Sequence, residues 1–410
     1  GLQSSRINQG IKESLVKLEA KGLGFFSDPF EHQVKALEYF LNGQDLFVST
    51  GTGSGKTECF LWPIIAKCFD EAKNHPVNFE KEAVRTLIIY PMNALVSDQL
   101  ARFRKIIGNP NFKDIFTRDT KATRIPHFGM YTGRTPYSGD AKKSSSRELA
   151  LTFRENYLID RNADIETQRR QMNNIQGLKS INKYPARFGE NGLSDFIENL
   201  EKNIHKPSPY DAEFITRFEM QSCPPDILIT NYSMLEYMLM RQREANIWDK
   251  TKEWLRSSDE NKLLIVLDEA HMYRGSAGGE IALLLERLFY RLGISAERVQ
   301  FILTTASMPQ NERVAINSFY SGLTGKSHTS CEFLFGSKEE ISDEQVIKTD
   351  IDALTSIGSD QVQGEEITKR IASFALSVFK VSLSPDISRE GAQEWLYDNL
   401  PKYEAFVKLN

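Results

Sequence analysis

The sequence has little cysteine and no long apolar run, and each shortage argues against a class of protein. Its four cysteines in 410 residues include no Cys-x-x-Cys pair, which argues against a zinc cluster or a disulfide framework and favours a reducing compartment. No segment approaches the roughly 20 apolar residues of a membrane-spanning helix, and the first residues do not resemble a signal peptide. We therefore expect a cytoplasmic globular protein without a membrane segment.

The sequence also lacks an excess of positive charge. It has 51 basic and 55 acidic residues, a formal net charge of -4, so any surface that binds nucleic acid must be local. The 40% hydrophobic content is enough for one large core and a smaller one. Because the chain begins with Gly1 and not with Met, we expect it to be part of a longer protein.

Short apolar runs alternate with helical patterns along most of the chain. Strand-like runs lie at residues 44–50, 85–91, 226–231, 262–269 and 299–307. Helical patterns of apolar residues separate them. This alternation predicts an α/β fold in which a parallel sheet is flanked by helices.

Changes in composition divide the chain into three parts. Residues 1–24 have the pattern of an amphipathic lead-in helix, and residues 25–335 carry the α/β alternation. A polar, helix-patterned insertion interrupts that region at about residues 138–224. It is either a solvated helical excursion or a contact surface for nucleic acid or a partner protein. Residues 336–410 are predicted to form a helical extension or the start of a linker domain.

A glycine-rich segment, TGTGSGKT at Thr50 to Thr57, lies where a strand ends and a helix begins. At such a junction, backbone N–H groups and the helix N-terminus can hold phosphates. Lys56 would neutralise the β- and γ-phosphate oxygens, and the Thr57 hydroxyl would bind Mg²⁺. The other predicted phosphate-binding residues are Thr52, Gly53, Ser54 and Gly55. The segment therefore predicts ATP and Mg²⁺ as ligands, with an ordinary strand-to-helix turn as the alternative.

A second motif, LIVLDEAH at residues 264–271, delivers two carboxylates at the end of an apolar strand. Parallel α/β sheets bind ligands at this edge. Asp268 is predicted to hold Mg²⁺, and Glu269 to orient and deprotonate the attacking water. His271 is predicted to couple these carboxylates to a later strand. Adjacent acidic residues are common on surfaces, so the assignment depends on the presence of the glycine-rich segment.

Together, the two motifs resemble those of superfamily 2 helicases of the DEAH type, over about residues 25–310. The resemblance implies a RecA-like ATP-binding lobe. Phe30 to Gln33 is similar to the Q-motif of that family, which implies that Gln33 recognises adenine. The segment TTAS, with Thr305 and Ser307, resembles the motif that couples the ATP site to a second lobe.

Three further loops resemble segments that contact the phosphodiester backbone in this family. They contain Asn93 in YPMNALVSDQ, Gly133 and Arg134 in YTGRT, and Thr230 and Asn231 in ITNYSML. The implied partner is single-stranded or partly duplex DNA, gripped without base readout. Such contacts do not separate DNA from RNA unless a 2′-hydroxyl is read. Capped helix starts and tight turns would have similar sequences.

Two longer segments, residues 90–99 and 268–288, narrow the resemblance to MrfA-like repair helicases and the large helicases of the Druantia and DISARM anti-phage systems. The resemblance implies a DNA-translocating ATPase in which two RecA-like lobes close on ATP. No second-lobe arginine motif precedes Asn410, so we expect this chain alone to be nearly inactive. The alternative is a nucleotide-gated scaffold in a multi-subunit complex without motor activity.

Overall fold

A computed structural model divides the chain into two compact units, residues 1–336 and 337–410. In the first unit it describes residues 7–51, 54–136, 142–187, 192–306 and 313–335. In the second it describes residues 365–379, 381–383, 388, 391–392 and 395–396. For residues 93–98, 365–367 and 377–378 the description covers the backbone alone.

A parallel sheet of eight strands forms the centre of the first unit. The strands are β1 (Asp45–Ser49), β2 (Thr86–Tyr90), β3 (Phe128–Tyr131), β4 (Glu213–Phe214), β5 (Ile227–Asn231), β6 (Leu263–Leu267), β7 (Val299–Thr305) and β8 (Cys331–Phe335). Their order across the sheet is β4-β3-β5-β2-β6-β7-β1-β8, and every neighbouring pair is parallel. The predicted α/β fold with a parallel sheet is confirmed.

The described residues of the first unit also form helices, on both faces of the sheet and in the insertion. They are α1 (Gln9–Ala20), α2 (Glu31–Leu41), α3 (Glu58–Asn74), α4 (Pro76–Phe79), α5 (Asn93–Ile106), α6 (Pro110–Thr120), α7 (Lys143–Tyr157), α8 (Ile165–Ser180), α9 (Leu193–Glu201), α10 (Arg217–Ser222), α11 (Tyr232–Met240), α12 (Ala245–Arg256), α13 (Ser276–Leu292) and α14 (Arg313–Thr324). One core packs α1, α2, α3, α5 and α6 against one face, and a second packs α11 to α14 against the other. Burial on both faces explains why the central strands are continuous apolar runs.

Buried ion pairs lie at the edge of the sheet where the strands begin. Asp226, just before β5, accepts hydrogen bonds from Arg85 (2.7 Å) and Arg124 (2.6 Å), and all three side chains are buried. Burial alone would raise the pKa of Asp226, but the two guanidinium groups outweigh it and lower this pKa to about 2. The carboxylate therefore stays ionised and fixes the start of β5 against β2.

Three strands, β3, β4 and β8, escaped the sequence analysis. β4 has only two residues, and β8 is an edge strand whose middle residues are half exposed. Such strands have no continuous apolar run to detect. The insertion, which includes helices α7 to α10, thus also adds β4 to the sheet beside β3.

The described part of the second unit is mostly helical. Its helix α15 (Glu365–Phe379) buries Ile371 and Phe374. Phe379 packs edge-on against Trp395, with ring centroids 5.3 Å apart. Most of the predicted helical extension at residues 336–410 lies outside the described residues. In neither unit does a described helix have the length and hydropathy needed to cross a bilayer.

Candidate active site

The glycine-rich segment joins β1 to α3 at the edge where the strands end. The Thr50 amide donates to the carbonyl of Thr305 on β7 (3.2 Å), so the loop begins against that strand. The Ser54 hydroxyl donates to Thr50 Oγ1 (2.6 Å) and lies 2.7 Å from the carbonyl oxygen of Gly51. Of the predicted phosphate-binding residues, Thr52 and Gly53 lie outside the described residues. The others curl the loop back over the end of the sheet.

The side chain of Gln33 is buried against this loop. Its Nε2 donates to the carbonyl of Gly55 (3.1 Å), and its Oε1 accepts from the Phe30 amide (3.0 Å) at the start of α2. Gly55 has a left-handed φ of +71°, and a Cβ there would lie 2.1 Å from Gln33 Nε2. Only glycine fits this close approach. The Gln33 amide retains one N–H and one oxygen lone pair for a ligand.

The ammonium group of Lys56 is buried and has no hydrogen-bond partner among the described residues. A buried cation without a partner is unfavourable unless an anion fills the site. Thr57, the next residue, precedes the first turn of α3, where N–H groups favour negative charge. Lys56 and Thr57 thus form an anion-binding position between β1 and α3.

Asp268 lies just after β6, beside this position. Its Oδ1 accepts hydrogen bonds from the Thr304 hydroxyl and from the Glu269 amide (2.9 Å). Burial raises the pKa of Asp268, whereas the bond from Thr304 and the charge of Lys56 favour the ionised form. The carboxylate is only 8% exposed, so it is a preformed oxygen ligand for a cation.

Thr304 is a site residue that sequence reasoning missed. It is fully buried on β7, and the pairing of Leu267 with Leu303 places it opposite Asp268. The motif comparison pointed instead to its neighbour Thr305. Only knowledge that β7 lies next to β6 could have identified Thr304, because the two residues are 36 positions apart in the chain.

Glu269 and His271 form a second connection between β6 and β7. Glu269 has a φ of +51°, a strained conformation for a residue other than glycine. His271 Nδ1 lies 3.3 Å from Glu269 Oε2 and 3.2 Å from Thr305 Oγ1. The imidazole therefore links the second carboxylate to the end of β7. Ser307, the other predicted coupling residue, lies outside the described residues.

Two tyrosine hydroxyls, of Tyr90 and Tyr273, were also missed. Both are buried, and neither has a hydrogen-bond partner among the described residues. Burial, and then the negative charge of Asp268, raises the pKa of both hydroxyls. They therefore remain protonated donors close to this carboxylate.

A cavity of about 520 Å³ adjoins the glycine-rich loop. Its lining includes Phe26, Phe30, Gln33, Lys56, Glu58 and Arg102. Phe26 and Phe30 are both exposed, and Arg102 Nη1 pairs with Glu58 Oε1 at 3.0 Å. Aromatic rings, an amide and an ammonium group in one cavity suit a flat heterocycle that carries phosphates.

The loop after β3 exposes two of the predicted nucleic-acid contacts, Gly133 and Arg134. The Arg134 amide donates to Thr132 Oγ1 (3.2 Å), and Arg217 donates to the carbonyl of Thr132 (2.7 Å). A Cβ at Gly133 would meet no atom within 4 Å. The loop is held from beneath, and its outer surface is open.

Thr230 and Asn231, by contrast, bond to the protein's own backbone. Thr230 is fully buried and its hydroxyl donates to the carbonyl of Tyr131 (2.7 Å). Asn231 is 8% exposed, and its Oδ1 accepts from the Met234 amide (2.8 Å), which caps α11. Asn93 is the first residue of α5, and its side chain lies outside the description. The structure therefore brings the predicted loops to one edge of the sheet but exposes their side chains unequally.

Residues 30–131 match the DEAD/DEAH box helicase family. The chain is 37% identical over 425 residues to Druantia protein DruE of Escherichia coli (strain UMEA 4076-1), an alignment that covers 96% of this chain and 22% of that protein. It is 38% identical over 277 residues to an uncharacterized ATP-dependent helicase of Methanocaldococcus jannaschii, which covers 68% of this chain and 25% of that protein.

A solved structure, the DUF1998 helicase MrfA bound to DNA, aligns with a TM-score of 0.41 and 17% identity, over 80% of this chain and 30% of that chain. The chain spans about a fifth of the length of the Druantia protein and a quarter of the archaeal helicase.

Proposed function

Because this chain contains a DEAD/DEAH box helicase domain, we propose that it is the ATP-binding lobe of a nucleic-acid-dependent ATPase that translocates on DNA. The observation that carries the proposal is the buried ammonium of Lys56, which has no partner among the described residues. It lies on the glycine-rich loop beside the carboxylate of Asp268. A nucleotide phosphate chain would supply the missing anion.

In this proposal Thr57 and Asp268 bind Mg²⁺, and both offer the oxygen ligands that this ion prefers. Among the described residues no three His, Cys, Asp or Glu side chains come together as a metal site. Bound Mg²⁺ would neutralise charge on the transferred phosphoryl group. Lys56 would neutralise the same oxygens from the other side.

Gln33 is proposed to recognise adenine. Its bonds to Gly55 and to Phe30 leave one N–H and one lone pair, the complement of the adenine edge. The same two bonds couple the base pocket to the phosphate loop. Gln33 would thus both select the base and position the loop.

Glu269 is proposed to orient and deprotonate the attacking water. His271 contacts both Glu269 and Thr305, so it would couple the hydrolytic carboxylate to the end of β7. Thr305 and Ser307 would pass that coupling to a second RecA-like lobe in the longer protein. That lobe would supply the arginine finger, so hydrolysis by this chain alone should be very slow.

Nucleic acid is proposed to lie along the edge where the strands end. The exposed Gly133 and Arg134, with Asn93 and the start of α5, would contact phosphates. Thr230 and Asn231 would support this surface through their backbone contacts. Identity to the Druantia protein along nearly the whole chain favours a role in anti-phage defence over repair.

The domain limits proposed are a lead-in helix at residues 1–24, the RecA-like lobe at 25–335 with its insertion at about 138–224, and a helical extension or linker domain from 336. A nucleotide-gated scaffold without motor activity remains the competing function. Its partners would be the other subunits of a complex, and it would bind ATP without DNA-stimulated turnover.

The deciding experiment is Mg-ATP binding by the chain, by Lys56→Ala and by Lys81→Ala, which removes an exposed lysine far from the loop. Loss of charge-assisted bonds to phosphate, worth about 1.5–3 kcal/mol, predicts a roughly 10- to 150-fold weaker affinity for Lys56→Ala. Lys81→Ala should bind as the parent does. Equal binding by all three proteins would contradict the proposed site, and turnover that DNA fails to stimulate even with the second lobe present would favour the scaffold.

A further inference from the structure

We propose that α7 and α8, with the turns that follow each helix (residues 142–183, hereafter the basic arm), form a docking surface for the phosphate backbone of duplex nucleic acid. The inference deepens the proposed function, on which it rests for the class of partner. It concerns the insertion at about residues 138–224, to which the motifs assign no function. The sequence left two interpretations of this insertion open: a solvated helical excursion, or a contact surface for nucleic acid or a partner protein.

The basic arm concentrates positive charge in a chain whose net charge is -4. It contains nine basic and five acidic residues, a net charge of +4. All nine basic side chains are exposed: Lys142, Lys143, Arg147, Arg154, Arg161, Arg169, Arg170, Lys179 and Lys183. Within the described residues, Arg154 alone of these forms an ion pair, with Glu201 at 2.5 Å.

Two of the five acidic residues of the arm bond to its backbone. Asp164 accepts from the Thr167 amide (2.8 Å) and caps α8, and Asp160 accepts from the Asn162 amide (2.9 Å). These carboxylates satisfy backbone N–H groups and not neighbouring cations. The buried arginines of the sheet, such as Arg85 and Arg124, are by contrast paired with carboxylates.

Helix α8 has no buried side chain along its 16 residues. Its start is tied down by Gln168, which donates to the carbonyl of Ala163 (2.8 Å), and by Gln171, which accepts from the Asp160 amide (3.0 Å). A helix without a buried face gains little stability from packing. Its remaining surface is therefore available to a partner.

The side chains of the arm favour a duplex over a single strand. Proteins that bind single strands stack bases on exposed aromatic rings. The aromatic residues of the arm are occupied elsewhere: Phe153 packs against Phe196, and Tyr157 packs edge-on against Tyr184, outside the arm, with centroids 5.3 and 5.8 Å apart. Beside the exposed apolar Ile165 and Met172, α8 presents guanidinium, ammonium and amide groups, the groups that contact phosphates.

The arm follows the loop of the proposed nucleic-acid track by a short stretch of chain. The amide of Arg217 donates to the carbonyl of Pro136 (2.6 Å), and its side chain bonds to Thr132, so this loop and α10 are fixed together. Lys142 follows Pro136 by six residues, at most about 21 Å of extended chain. Duplex that enters along the loop of Gly133 and Arg134 can therefore reach the arm.

The arm is also suited to mutation, because its basic residues are not part of its core. α7 packs on α9 through a small cluster that includes Ala150, Phe196 and Leu200. Substitutions at Arg169 and Arg170 leave this cluster intact, and glutamine preserves the helix propensity of arginine.

The test measures binding of a short blunt duplex to the whole chain by fluorescence anisotropy, over a series of salt concentrations. The variant is Arg169→Gln with Arg170→Gln. The matched control is Lys81→Gln with Arg256→Gln, two exposed basic residues that precede β2 and β6 at the opposite edge of the sheet. Each lost phosphate contact lowers the salt slope by about 0.9, so the arm variant should lose roughly two units of slope and the control none.

Equal slopes for the arm variant and the parent, or an equal loss in the control, would overturn the proposal. A variant that loses affinity for a single strand of the same length but not for duplex would overturn the choice of duplex. Mg-ATP binding in the same samples separates this test from that of the proposed function. The arm variant should bind Mg-ATP as the parent does. If the parent fails to bind Mg-ATP, the proposed function is contradicted, and the salt slope alone decides whether the arm binds duplex.

Discussion

Replacement of Thr304 by valine tests how the end of β7 supports the carboxylate of Asp268. The change removes a hydroxyl that donates to Asp268 Oδ1, where Thr304 is fully buried and Asp268 is 8% exposed. A buried hydrogen bond to an ionised group contributes about 1.5–3 kcal/mol. We expect Thr304→Val to lower the free energy of unfolding at neutral pH by this amount, and Thr304→Ser, which keeps the hydroxyl, to lower it by much less.

The pH dependence of the loss provides the sharper test. Burial raises the pKa of Asp268 above its usual 3.8 despite the bond from Thr304. A carboxyl group whose pKa is higher in the folded than in the unfolded state stabilises the fold at pH values below its unfolded-state pKa. This stabilisation is lost as the pH rises through the folded-state pKa. Thr304→Val removes a group that lowers this pKa, so its deficit should be largest at neutral pH and shrink as acid protonates Asp268.

Urea unfolding of the parent, Thr304→Val and Thr304→Ser, from neutral pH down to the limit of folding, measures this difference. A deficit of Thr304→Val that does not change with pH would show that the loss comes from packing and not from the charge of Asp268. A Thr304→Ser variant as unstable as Thr304→Val would also refute the reasoning.

Three further predictions concern the loop, the coupling residue and the charged edge. Gly55→Ala places a Cβ against Gln33 in a left-handed backbone. It should lower the free energy of unfolding by about 2–4 kcal/mol and weaken Mg-ATP binding. Adding Gln33→Ala to this variant should recover part of the lost stability. His271→Ala breaks the contact with Thr305. It should leave ATP affinity unchanged but reduce DNA-stimulated turnover of the full-length protein. An equal loss of affinity and turnover would contradict a coupling role. Asp226→Asn leaves the buried guanidinium of Arg124 without its carboxylate partner and that of Arg85 with Glu71 alone. It should lower the free energy of unfolding by about 3–5 kcal/mol, whereas a loss below 1 kcal/mol would mean that water enters this edge.

The sequence by itself determined the local chemistry. The glycine-rich segment lies between a strand and a helix, and DEAH follows an apolar strand; these are short-range patterns that each strand and helix carries in its own residues. The α/β class followed from the alternation of such elements. The predicted Lys56, Asp268, Glu269 and His271 lie near one another in the structure because parallel strands end at one edge.

Only the tertiary structure decided which side chains touch. The position of β7 between β6 and β1 sets Thr304 beside Asp268 and Thr305 beside His271. The same strand order buries Thr230, which the motif alone presented as a phosphate contact. Pairing of this kind joins residues far apart in the chain, so no local periodicity encodes it. For the same reason, the sequence showed the basic arm as a polar stretch, and the structure showed that its basic side chains are exposed and that, among the described residues, only Arg154 of them forms an ion pair.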